Sequence, residues 1–107
     1  MYSTRRNKRV VCADGFNMSV QAHQGAYCEP REDDAPCYSA VEIGFPSHED
    51  YYLMPYAEDP SNPTKTVYAW VPVEVVFTVI SAHGGMIDGE VPKGVPELRV
   101  DTGNGSV

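Results

Sequence analysis

The chain has 107 residues, with 15 acidic side chains against 8 basic ones and a formal charge of −7, a length that fits one domain and leaves no room for two. Hydrophobic residues make up 42%, enough for a core and too many for wholesale disorder, and no apolar run approaches the roughly 20 residues that a membrane helix needs. Four of the basic residues (Arg5, Arg6, Lys8, Arg9) precede Val10, after which four basic residues face fifteen acidic ones, so the body repels phosphate backbones and direct nucleic-acid binding is not expected.

Residues 1–8 are expected to form a basic flexible arm and 9–100 a single compact domain. The N-terminus, MYSTRRNKRVV, has no apolar h-region before the first strand, so a secretory signal is not expected and the host cytoplasm is the expected location. Lys8 to Ala13 (KRVVCA) reads as a strand, and Asp14-Gly15 as a two-residue hairpin turn. The return strand FNMSVQA alternates: Phe16, Met18, Val20 and Ala22 form a core face, and Asn17, Ser19 and Gln21 a polar, uncharged one. A strand face that merely meets water usually carries Lys, Glu, Thr or Arg. Amides and hydroxyls instead offer fixed donors and acceptors without a large desolvation penalty, which suits a ligand.

HQGAYCEPREDDAPCY is a loop of about sixteen residues, long enough to be functional or disordered. Tyr27, Cys28 and Tyr38 suggest partial packing, and Glu32-Asp33-Asp34 an exposed tip. Ser39 to Phe45 (SAVEIGF) is the next strand, with Val41, Ile43 and Phe45 inward and Glu42 outward. A short helix follows, with Ser47 as cap, Glu49 and Asp50 in its first turn and Pro55 limiting it to about two turns. Thr66 to Val71 (TVYAWV) is a strand by its β-branched and aromatic content.

PVEVVFTVISAHGG is ambiguous: its β-branched residues favour a strand and its punctuation a helix. Pro72 suits the first helical position, Glu74 the first turn, His83 the last turn and Gly84-Gly85 the cap, while Val73, Val76, Phe77 and Ile80 recur at helical spacing. We read it as a helix. A last short strand is expected near Glu97 to Val100, and residues 101–107 (DTGNGSV) as a flexible tail. The resulting fold class is α+β, a small antiparallel sheet of about four strands with one packed C-terminal helix and a short second helix.

Three cysteines, Cys12, Cys28 and Cys37, cannot all pair within one chain and form no C-x-x-C, so reduced thiols are expected, with neither a metal site nor another cofactor. No spacing of Cys and His specifies a nucleophile with an oriented base, so no catalytic residue is assigned and the protein is not read as an enzyme. Gly84-Gly85 ends a helix and presents carbonyls, the wrong end for phosphate. Arg31 is the only basic residue between Arg9 and Lys65; it suits either a local ion pair with its acidic neighbours or an anion clamp. Tyr27, Tyr68 and Trp70 are candidate platforms for a planar ring. Asn17, Ser19, Gln21, Tyr27, Arg31 and Trp70 together form the candidate ligand-binding set.

Over VVCADGFNMSVQAHQGAYCEPR, VEIGFPSHEDYYLMPYAED and VYAWVPVEVVFTVISAHGG, about residues 9 to 86, the chain resembles short bacteriophage-encoded proteins of no established family. That resemblance implies a class: small, acidic, single-domain inhibitors of host defence. Such a protein would sequester a nucleotide-like immune signal, or alternatively block a host defence protein such as a CRISPR effector, its acidic surface mimicking nucleic acid. Because so small a sheet encloses a ligand poorly, a homo-dimer or higher oligomer is expected.

Overall fold

The computed structural model describes residues 6–100, so positions 1–5 of the expected arm and the expected tail lie outside the described residues. Its elements are β1 (Val10–Cys12), β2 (Asn17–Gln21), β3 (Ala40–Gly44), a 3-10 turn (Met54–Tyr56), β4 (Val67–Pro72), α1 (Val73–Ala82) and β5 (Met86–Asp88). The fold is α+β. One five-stranded sheet runs in the order β4-β3-β2-β1-β5 with every pairing antiparallel. β1 to β4 form a meander, and α1 returns the chain from one edge of the sheet to the other.

Alternation sets the two faces. Val10, Cys12, Met18, Val20, Val41, Ile43, Tyr68 and Val71 are buried, and α1 adds Val73, Val76, Val79 and Ile80 to the same core. Phe77, expected on that stripe, is instead exposed, and Val79 takes its place. The opposite sheet face carries Ser19, Gln21, Glu42 and Val67, with no helix over it among the described residues.

Four local expectations are corrected. The hairpin has three loop residues: the Cys12 amide donates to the Phe16 carbonyl at 2.8 Å, and Gly15 takes the positive φ (+97°) that closes a bulged turn. The short second helix does not form beyond the single 3-10 turn. Ser47 accepts the Asn17 N–H at 3.0 Å instead of capping, and Pro55 sits inside the turn without an N–H to extend it. The last strand is β5, at Met86–Asp88, whereas Arg99 makes only an isolated bridge to Met86. Pro72 precedes the helix as its N-cap instead of occupying its first turn.

Both rims are partly closed by non-strand segments. On β4, Ala57 bridges Tyr68 and the Glu58 amide donates to Val67 at 2.9 Å; on β5, Met86 exchanges hydrogen bonds with Leu98 (2.7 Å) and Val100 (2.9 Å). The inner end of the basic arm is fixed as well, since Lys8 pairs with Asp88 at 3.0 Å and Asn7 is tied to β2. Among the described residues no helix is long and apolar enough to cross a membrane.

Candidate functional site

The uncovered sheet face carries a recess of about 450 Å³ lined by Arg6, Asn7, Ser19, Gln21, His23, Gly25, Glu42, Gly44, Phe45 and Val67. Its strand residues are the outward positions of β2, β3 and β4, and Gln21 stands opposite Glu42 in register. The arm supplies Arg6 and Asn7, and the start of the long loop supplies His23 and Gly25.

The polar row of β2 is divided. Asn17 does not line the recess: its Oδ1 accepts from Arg9 Nε at 2.7 Å and its Nδ2 donates to the Gly15 carbonyl at 3.0 Å. Arg9 also donates to the Phe45 carbonyl, so Asn17 belongs to a staple joining β1, β2 and the end of β3. Gln21 lines the recess, but both its amide protons and one lone pair of its oxygen are used. Oε1 accepts the Asn7 N–H at 2.9 Å, while Nε2 donates to the Asn7 carbonyl and to Ser19 Oγ, both at 3.0 Å. Gln21 therefore builds the wall. Ser19, whose oxygen accepts that bond, keeps its hydroxyl proton to donate.

Tyr27, Arg31 and Trp70 converge from the loop and β4. The Tyr27 and Trp70 rings are 5.2 Å apart at 41°, and the Arg31 guanidinium carbon lies 5.5 Å from the Tyr27 ring centre. Backbone geometry explains the meeting. β4 pairs Val71 with Val41 but Tyr68 with Ile43, so Ala69 and Trp70 both oppose Glu42 in a bulge, and Trp70 adopts φ +48°. That turn puts the indole outside, 48% exposed. The Trp70 amide donates to the Tyr27 carbonyl at 3.1 Å, and the Tyr27 amide donates to Glu42 Oε1 at 3.1 Å. Glu42 is thus shared between the recess wall and the aromatic pair. Tyr68, the third candidate platform, is fully buried, with its hydroxyl donating to the Pro63 carbonyl at 2.6 Å.

His23, Glu42, Arg6 and Phe45 were not among the expected site residues. Phe45 was expected in the core, but its φ of +47° breaks the alternation after Gly44 and turns the ring outward. The outward position of Glu42 was visible; its role required the loop path. His23 Nδ1 accepts the Gly25 N–H at 3.1 Å, which leaves the ring proton on Nε2. Burial, reinforced by the Arg6 charge and opposed by Glu42 and Asp33, holds the His23 pKa below its ordinary value and favours that neutral form.

The loop is itself held in place. Ala26, Cys28, Ala35 and Tyr38 are buried, the Tyr38 hydroxyl donates to the Glu32 carbonyl at 2.6 Å and accepts the Ala35 N–H at 3.2 Å, and Asp33 accepts the Gln24 N–H at 3.0 Å.

A second charged cluster joins the hairpin, residue 50 and the end of α1. His83 Nδ1 lies 2.7 Å from Asp14 and Nε2 2.8 Å from Asp50, and the imidazole stacks on Phe16 with centroids 4.0 Å apart. Two carboxylates, one on each nitrogen, call for a proton on both. Burial opposes that charge, but the bonds to Asp14 and Asp50 outweigh it and raise the pKa above the ordinary value. The nearby Cys12 thiol is fully buried and pushed up to about 11 by burial and by the charges of Asp14 and Asp50, the opposite of what a nucleophile needs. The trio therefore serves as a clasp between elements. Among the described residues no group of three or more His, Cys, Asp and Glu side chains fits a metal ion.

No family model, curated protein or solved structure matches the chain.

Proposed function

We propose that the uncovered sheet face captures a small nucleotide-like ligand and holds it without chemical change, in the manner of a phage protein that sequesters an immune signal in the host cytoplasm. The observation that supports this reading is the convergence of Tyr27, Arg31 and Trp70 beside the recess. Aromatic faces stack on a base at a worth of about 1–3 kcal/mol each, and a guanidinium pairs with phosphate or carboxylate. Ser19 adds a donor from the recess, and Asn17 and Gln21 act as scaffolding through Arg9 and Asn7. The acidic body opposes an anionic ligand at long range, but screening over roughly 8 Å at physiological salt leaves contacts within the site in control. A second copy of the chain covering this face would enclose the ligand further, so the proposal includes a homo-dimer or higher oligomer.

Trp70 is the chain's single tryptophan, so its fluorescence reports on the platform directly. Titration with cyclic dinucleotides and ADP-ribose-derived signals is expected to quench it. Calorimetry on the same ligands should show binding that Trp70→Ala and Arg31→Ala weaken by tenfold or more, with the ligand recovered intact. Flat titrations across the panel refute capture, and a converted ligand refutes the non-enzymatic reading.

A further inference from the structure

The hydrogen-bonding positions left open in the recess define what a ligand must offer there. Gln21 offers only the second lone pair of Oε1, because Asn7 takes the first and Asn7 and Ser19 take both protons of Nε2. The Ser19 hydroxyl and His23 Nε2 are donors, since Ser19 Oγ accepts from Gln21 and His23 Nδ1 accepts from Gly25. Glu42 is the charged acceptor. A carboxylate has about four lone-pair sites, and the Tyr27 amide fills one of them at 3.1 Å. That bond also fixes the carboxylate against the backbone of the residue whose ring faces Trp70.

A half-buried carboxylate with unfilled acceptor capacity is complementary to adjacent N–H donors, and it repels phosphate. The donors beside it, Ser19, His23 and the Arg6 guanidinium that also lines the recess, are complementary to a carbonyl oxygen. Among the common bases, guanine combines these along one edge: N1–H and the N2 amino group as neighbouring donors, followed by O6 as acceptor. Adenine flanks its one amino group with acceptors, uracil places a single N–H between two carbonyls, and cytosine sets its amino group next to an acceptor nitrogen. We propose that the recess is a guanine-selective base subsite, with Glu42 receiving N1–H and N2–H, and His23 or Ser19 donating to O6. The subsite rests on the reading of this face as a nucleotide platform: the ring stacks against Trp70 and Tyr27, and Arg31 meets the phosphate end.

The test compares GMP, IMP and AMP by Trp70 fluorescence and calorimetry, using the full chain and Glu42→Gln. The amide oxygen that this substitution introduces can still accept the Tyr27 N–H, and circular dichroism checks that the variant is folded. A bidentate contact separates bases by roughly tenfold or more. GMP is therefore expected to bind at least tenfold tighter than AMP, with IMP, which lacks the N2 amino group, in between, and Glu42→Gln should erase the ranking. Equal binding of GMP and AMP, abolished in both cases by Trp70→Ala, overturns the guanine subsite and leaves the platform standing. A guanine preference that survives Glu42→Gln overturns the assignment to Glu42. Binding of no nucleotide at all overturns the platform and the subsite together.

Discussion

Replacing His83 with Phe tests the clasp that ties the end of α1 to the hairpin and to Asp50. The variant keeps an aromatic ring against Phe16, where the imidazole now stacks at 4.0 Å, and removes the contacts at 2.7 and 2.8 Å. Asp14 is solvent-exposed and left out of the sum. Asp50 is 6% exposed and retains the Tyr52 N–H at 2.9 Å, so it loses one charge-assisted hydrogen bond and is not stripped bare. Such a bond is worth about 1.5–3 kcal/mol, and we take about 2 kcal/mol. At roughly 4 °C per kcal/mol for a domain near this size, Tm should fall by about 8 °C.

The pH dependence follows from the same contacts. The folded pKa of His83 lies above its ordinary 6.5, so its contribution is complete below 6.5 and is lost as pH rises through the folded value. The Asp14 pKa is lowered from 3.8, chiefly by its bond to His83 and then by the Phe16 amide, so its contribution is present above 3.8 and is lost as pH falls through the folded value. The gap in Tm between the parent and His83→Phe, followed by circular dichroism from pH 4 to 9, should be widest between these limits and narrow toward pH 9. A fall under about 2 °C at pH 6, or a gap that widens with rising pH, would refute the reasoning.

Gly94 has φ +111°, and a Cβ there would land on the Tyr38 carbonyl and amide; Gly94→Ala should cost about 3 kcal/mol or more, seen as a large drop in the urea midpoint. Tyr38→Phe strands the Glu32 carbonyl and the Ala35 N–H at a cost of about 1–3 kcal/mol, and trypsin should then cut after Arg31 well before the parent is cleaved there. Combining Glu29→Gln, Glu32→Gln and Asp34→Asn removes exposed charge around Arg31, and calorimetry should show nucleotide affinity unchanged or slightly tighter. Loss of binding to a basic host defence protein in the same variant, with no nucleotide binding in the parent, would instead favour an acidic inhibitor that mimics nucleic acid.

The parts of the fold legible in the sequence are those set by short-range periodicity. Alternation in FNMSVQA and SAVEIGF marked β2 and β3 and their buried sides, and the Pro72-to-Gly85 punctuation outweighed the β-branched content of α1 because the buried stripe supplies its stability. Three-residue β5 has too little alternation to read, and the helix expected after Ser47 gives way because that serine is drawn into a bond with β2.

The site was legible by residue type more than by role. Tyr27, Arg31 and Trp70 stood out as candidates for stacking and anion binding by side-chain chemistry alone, but their convergence depends on a bulge and a loop path that leave no periodic trace. Asn17 and Gln21 look like ligand readers in one dimension; their partners Arg9 and Asn7 lie 8 and 14 positions upstream, at the junction of the arm and within it. Local pattern shows which groups leave the core, whereas what they then touch is set by tertiary geometry.

The capped rims limit how copies of this molecule can associate. Residues 57–58 along β4 and 98–100 along β5 take up backbone groups at both rims that could otherwise recruit a foreign strand. Growth by strand addition is thereby discouraged at both ends, which guards against fibre-like stacking. An oligomer would then be assembled side chain to side chain, and if it formed through the open sheet face or the long loop, where the Trp70 platform also lies, subunit association and ligand access would compete for, or cooperate over, the same surface.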